Sequence, residues 1–147
     1  MFSAHHYRLV YLRSEVYREV YLPATMPDMP TDWFKERYSP LLQWWKDASV
    51  DDNPGNQNTG VVHITCVVAY HSTMIFLLQP LTLHALSRPA EEIKFLLQEN
   101  YYSAVKLTET YQHVLQAPDG SAVCIYSMTL LSAHYICVAG LPIGCCP

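Results

Sequence analysis

The chain has 147 residues, about the length of one domain, with 50% apolar and only 15% charged residues against a usual charged share of roughly 25%. A net charge of −4, with nine Lys and Arg scattered along the chain, argues against a surface built to track phosphates, because nucleic-acid binders cluster basic residues to displace counterions. Core material is plentiful and charged surface scarce, the balance of a protein that buries area against a partner or within a larger body.

Leu9, Leu12, Val16 and Val20 step by three or four residues and predict a helix over 4–21 with one apolar face. Tyr7, Tyr17 and Tyr21 are expected to widen that face. Arg8, Arg13, Glu15, Arg18 and Glu19 are expected to lie mostly away from it. Pro23, Pro27 and Pro30 prevent its continuation. A short helical piece is expected from about Asp32. Ser39-Pro40 then reads as a fresh helix start, with Ser39 as the cap and Pro40 in the first turn. The helix it opens carries Leu41, Leu42, Trp44 and Trp45. Residues 49–60, rich in Asp, Asn, Gln, Gly and Pro, read as a flexible surface loop.

No charged residue occurs from Asn53 to Ser87, and Val61 to Leu78 is one apolar run within that span. Val61, Val62, Val67 and Val68 are β-branched and would suit a strand. The run is too long for one, since strands rarely exceed about ten residues, so a helix stopped by Pro80 is expected. Ser87-Arg88-Pro89-Ala90-Glu91-Glu92 reads as another start. It has a capping serine, a proline in the first turn, and two carboxylates at the positive end of the helix dipole, worth about 0.3–1 kcal/mol each. This helix is expected to run to about Gln116, with Ile93, Leu97, Tyr101, Ala104, Leu107, Tyr111 and Val114 as its apolar face. Pro118-Asp119-Gly120 reads as a turn, and Ser121 as the cap of a last helix ending at Gly140. The chain contains no internal repeat. The expected fold is all-α: an irregular array of about five to six helices in one unit over 1–147.

The five cysteines are Cys66, Cys124, Cys137, Cys145 and Cys146. An odd count without regular spacing makes a poor disulfide framework and fits a reducing compartment. The N-terminal stretch carries Glu15 and Glu19 and has no signal-like apolar core, so export is not expected.

Tyr70, His71, Ile75, Leu77 and Pro80 follow the order Tyr-His-x-x-x-Ile-x-Leu-x-x-Pro. A tryptophan-bearing segment (Leu41 to Trp45) and a polar loop (Ser49 to Gly60) precede them, and a long helix with Tyr101, Ala104 and Val105 follows. This succession resembles the regulatory domain of fungal zinc binuclear cluster transcription factors, over about residues 5–142. The family usually has Arg where Gln79 stands and Cys where Tyr101 stands. The six closely spaced cysteines that hold two zinc ions in the family's DNA-binding module have no counterpart here, and the chain is shorter than a full regulatory domain. The resemblance therefore implies a non-catalytic regulatory or interaction domain in the nucleus, a fragment or truncated relative without direct DNA binding. It also implies protein partners in the transcription machinery, a small-molecule effector, self-association as a homodimer, and no cofactor. Tyr70, His71, Ile75, Leu77, Pro80 and Ala104 would define the fold rather than touch a ligand.

Chemistry-bearing clusters are few. His63 and Cys66 are three apart and could share a helix face, but zinc needs two more ligands that the neighbouring sequence does not supply. His71 is turned off that face by most of a right angle. No nucleophile elbow, phosphate-binding glycine loop or zinc-protease pair is present. Glu91 and Glu92 are adjacent and cannot face one substrate as an acid–base pair. The tyrosines are expected at the core edge with wet hydroxyls. An alternative is a two-span membrane protein. Val61–Leu83 and Ala122–Gly144 are long enough for a bilayer, which needs ~20 apolar residues. His63, His71, Gln79 and His134 count against it, and no Lys/Arg cluster flanks either run.

Overall fold

The computed structural model describes residues 2–48 and 61–116. These residues are all-α: they form α1 (Phe2–Val16), α2 (Thr31–Asp47), α3 (Val61–Leu83) and α4 (Ala90–Gln116), with no strand among them. The expected loop at 49–60, the turn at 118–120 and the last helix at 121–140 lie outside the described residues, as does the second candidate span.

The stripe read in the first segment forms as expected. Leu9, Leu12, Val16 and Val20 are all buried. The α-helix ends at Val16, however, and the chain continues as a π-helical turn over Tyr17–Tyr21, closed by the amide of Leu22 on the Tyr17 carbonyl at 2.8 Å. The wider turn brings Val20 and Tyr21 inward together. Tyr7 does not join the apolar face and stands 76% exposed. Glu19 was expected away from the core and is half-buried instead.

α2 is a single helix, and Ser39-Pro40 does not open a new one: Pro40 lies inside it. A proline in a helix interior removes one amide and leaves the carbonyl four residues back without its donor. Here Ser39, Pro40 and Glu36 are all exposed, so water reaches that carbonyl and the helix runs on. Trp33, Phe34, Leu41 and Trp44 form its buried side.

α3 is the central element, in contact with α1, α2 and α4. Every residue from Cys66 to Tyr70 is buried, as is His71, while Thr65, Ser72, Ile75, Gln79 and Thr82 leave one edge of the helix partly open. Pro80 was expected to stop it but is buried inside it, and the helix continues to Leu83.

α4 begins at Ala90, with Glu91 and Glu92 in its first turn. Ser87 does not cap it. That residue closes a short 3₁₀ turn (Ala85–Ser87), and its hydroxyl donates to the His84 carbonyl at 2.8 Å. Ile93 and Val114 are buried as expected and Leu97, Leu107 and Tyr111 pack half-buried against the core, while Leu96 and Ser103 join that face. Tyr101 is 74% exposed and Ala104 is exposed as well. Large side chains guided the expected register, but α4 turns a small polar residue, Ser103, towards α3.

Candidate functional site

Two places bring functional side chains together. The first is the seam where α2 and α4 meet the middle of α3. His71 is 0% and Ser103 1% exposed, and His71 Nδ1 and Ser103 Oγ share a hydrogen bond of 3.0 Å. Tyr70 stacks on Trp45 of α2 with ring centroids 4.5 Å apart. The His71 ring lies 5.7 Å from Trp45 and 5.9 Å from Tyr102 of α4. One Tyr-His dipeptide on α3 thus binds two helices, by a ring face on one side and a hydrogen bond on the other. A serine beside a histidine is also the first pair of a hydrolase triad. Both side chains are sealed here, so no substrate carbonyl can approach Ser103 Oγ, and the pair acts as a polar pin in an apolar seam.

The resembling residues divide by burial. Tyr70, His71, Leu77 and Pro80 are inside, Ile75 and Gln79 are half-buried, and Ala104 and Tyr101 face outward. Two hydroxyls of α3 bond within the helix: that of Thr73 donates to the Ala69 carbonyl at 2.7 Å, and that of Ser72 to the same oxygen at 3.3 Å. Cys66 is buried, which pushes its thiol above the usual range and leaves it a poor nucleophile. His63, the other half of the His/Cys pair, is half-buried. Among the described residues no three of His, Cys, Asp and Glu converge to hold a metal ion.

Sequence reasoning missed the contact that accommodates Pro80. Without an amide on Pro80, the carbonyl of Phe76 lacks its helical donor. The phenol of Tyr21 supplies one, donating to the Phe76 carbonyl at 2.7 Å across a gap of 55 residues. The Tyr21 ring also stacks on that of Phe76 at 4.6 Å. Burial pushes the Tyr21 phenol well above its ordinary pKa, which keeps it a donor. The signal was available in part: a proline inside an apolar helix announces an orphan carbonyl, but not its partner.

Two arginines were also missed. Arg37 of α2 grips the Glu19 carboxylate of the π-helical turn through both oxygens, at 2.8 and 3.0 Å. Trp33 Nε1 donates to the same carboxylate at 2.7 Å, and the Arg37 guanidinium lies 4.0 Å above the Trp33 ring. The Trp33 hydrogen bond, aided by the Arg37 charge, holds the Glu19 carboxyl below its ordinary range against a smaller opposing effect of burial. Arg88, just before α4, reaches back to Asp28 and the Met29 carbonyl, and donates to Thr31 Oγ1 at 2.9 Å. It clamps the connector between the π-helical turn and α2.

The second place is an open groove of about 730 Å³ between α1 and α2. Leu9, Leu12, Leu41 and Trp44 form its apolar floor, and Tyr7, Tyr11, Arg8, Glu15 and Glu36 its rim. Its size falls within the range of small-molecule and peptide sites.

Comparison with protein-family models, curated proteins and solved structures finds no match to this chain.

Proposed function

We propose that this chain is a non-catalytic regulatory and interaction domain of the type found in fungal zinc binuclear cluster transcription factors. It would act in the nucleus through protein partners of the transcription machinery, without binding DNA itself. The observation that carries this reading is the helix bearing Tyr70, His71, Leu77 and Pro80. Three of the six residues on which the resemblance rests mark points where α3 is held by its neighbours: Trp45 on Tyr70, Ser103 on His71, Tyr21 at the carbonyl freed by Pro80. A scaffold of this kind offers its outer surfaces and its α1–α2 groove to partners or to a small-molecule effector, while its sealed His–Ser pair reaches no substrate.

The rival reading is a membrane protein. Among the described helices, His63–Leu83 is long and apolar enough to cross a bilayer, with a mean hydropathy of 1.4. Its apolar window is 78% buried inside the protein, which favours the core helix of a water-soluble bundle, since lipid offers no reason to cover such a helix.

The test has two arms. After carbonate washing and detergent partitioning, the expressed chain is expected in the aqueous phase, and stable residence in the membrane fraction would overturn the reading. Fused to an unrelated DNA-binding module and activation segment, it is expected to change reporter transcription, whereas a Leu77→Asp variant with a broken core is not. Equal reporter output from the two fusions counts against a regulatory role.

A further inference from the structure

Tyr17–Tyr21 is the one π-helical turn among the described residues. Such single turns are rare in helices and frequent at functional positions. Its flanks, Val16 and Leu22, both have α-helical backbone, so the turn amounts to one extra residue in an otherwise regular helix end. In a regular α-helix each residue advances by about 100°. Val20 would then lie about 40° from Val16 and stay on the buried face, whereas Tyr21 would lie about 140° from it and point off α3. The extra residue is what turns Tyr21 towards Phe76.

Two tethers hold this register: Tyr21 on the Phe76 carbonyl, and the Glu19 carboxylate between Trp33 and Arg37. The second is not sealed, since the Glu19 and Arg37 side chains are 31% and 17% exposed. Leu22, Pro23, Ala24 and Thr25 follow the turn on the surface and can absorb a change of register. Beyond them Arg88 holds Asp28, Met29 and Thr31, which confines the change to that stretch.

We propose that the turn is a two-register joint latched by the Glu19 carboxylate. While Trp33 and Arg37 hold that carboxylate, the turn keeps its π form and Tyr21 serves Phe76. When the carboxylate is neutralised, the turn relaxes to α-helix, Val20 stays buried and Tyr21 swings out of the core. Arg37 also walls the α1–α2 groove, so the joint ties that groove to the core around Phe76. The device is acid-sensitive. Around the carboxylate stand Arg37 and its neighbour Glu36 from α2, Arg18 in the turn itself, and Arg13 and Glu15 from the last turn of α1, while α3 brings no Asp, Glu, Lys or Arg. The Trp33 hydrogen bond and the Arg37 and Arg18 charges outweigh burial and lower the folded pKa of Glu19. The latch is therefore shut at neutral pH and opens as pH falls through that lowered value.

The experiment places 3-fluorotyrosine at position 21 of the full chain and follows its fluorine resonance. At neutral pH one dominant signal is expected. Glu19→Gln exchanges charge-assisted bonds for neutral ones, and a second signal, with the shift of a solvent-exposed ring, is expected to gain about tenfold in share. The same label at Tyr38, which packs on Phe95 away from the turn, is expected to stay single in Glu19→Gln. Acidifying the unsubstituted chain below 4.5 is expected to raise the same second signal at position 21. A variant lacking Arg18 has no residue to spare. Tyr21 then stands four residues after Val16 in an ordinary α-helix, and one buried signal is expected at both pH values. A position-21 signal in Glu19→Gln that matches the unsubstituted chain overturns the proposal. So does a change at positions 21 and 38 together in that variant, since the whole bundle rather than a joint would then have loosened. A second signal that survives the loss of Arg18 overturns it as well.

Discussion

Pro40 and Pro80 each lie inside a helix, and each deprives the carbonyl four residues back of its donor. At Pro40 the carbonyl belongs to exposed Glu36, and solvent serves it. At Pro80 it belongs to Phe76, 4% exposed, and solvent cannot. There the chain supplies a phenol from Tyr21, which a π-helical turn carries into position. The same backbone defect is thus tolerated locally on the surface but needs a distant partner in the core. That difference follows from the cost of a buried unpaired polar group, about 1–3 kcal/mol.

This comparison can be broken in several ways. Tyr21→Ala removes both the donor and the ring stacked on Phe76, and is expected to cost about 3–5 kcal/mol in urea unfolding. A loss under about 1 kcal/mol would show that the Phe76 carbonyl needs no partner. Tyr21→Phe keeps the ring and removes only the hydroxyl. The expected loss is about 1–3 kcal/mol, read as a lower urea midpoint at unchanged slope. Pro40→Ala restores an amide where no other group had replaced it. After allowing for the freer unfolded chain, it is expected to stabilise by about 1–2 kcal/mol, and a neutral result would mean that α2 is not regular around position 40.

The smallest effect is one of pH. Glu19 shares the π-helical turn with Tyr21, and its folded pKa lies below the ordinary value of 4.5. Its stabilising contribution is complete above that value and is lost as pH falls through the lowered folded pKa. Acid titration of the wild-type chain should therefore show a stability loss beginning below 4.5 that Glu19→Gln lacks. Identical acid limbs for the two proteins would detach Glu19 from the stability of the turn.

Much of the helical order was legible because apolar periodicity reports it directly. The stripe Leu9, Leu12, Val16, Val20 is buried as its spacing predicts, and the length of the run from Val61 correctly outweighed its β-branched valines. Both internal prolines were misread as helix boundaries, because local propensity treats a proline as a stop and cannot see whether another group meets the orphan carbonyl. The α4 face was misplaced only at Tyr101 and Ala104, for a related reason. Tyr101 and Ala104 are apolar by type, yet the position facing His71 had to be small and hydroxylated, and Ser103 takes it. The pin between α3 and α4, the Tyr21 contact and the Arg37 and Arg88 clamps join residues 18 to 60 positions apart. No local pattern encodes such pairings. The roles of Tyr70 and His71 depend likewise on distant partners, Trp45 and Ser103, on other helices.

The most direct test of this reciprocity is a double-mutant cycle between Tyr21 and Pro80. In Pro80→Ala the new amide can serve the Phe76 carbonyl. Adding Tyr21→Phe there should then cost at least about 1 kcal/mol less than the same change beside Pro80. An equal cost in both backgrounds would contradict the account, because the phenol would then not be standing in for the missing amide.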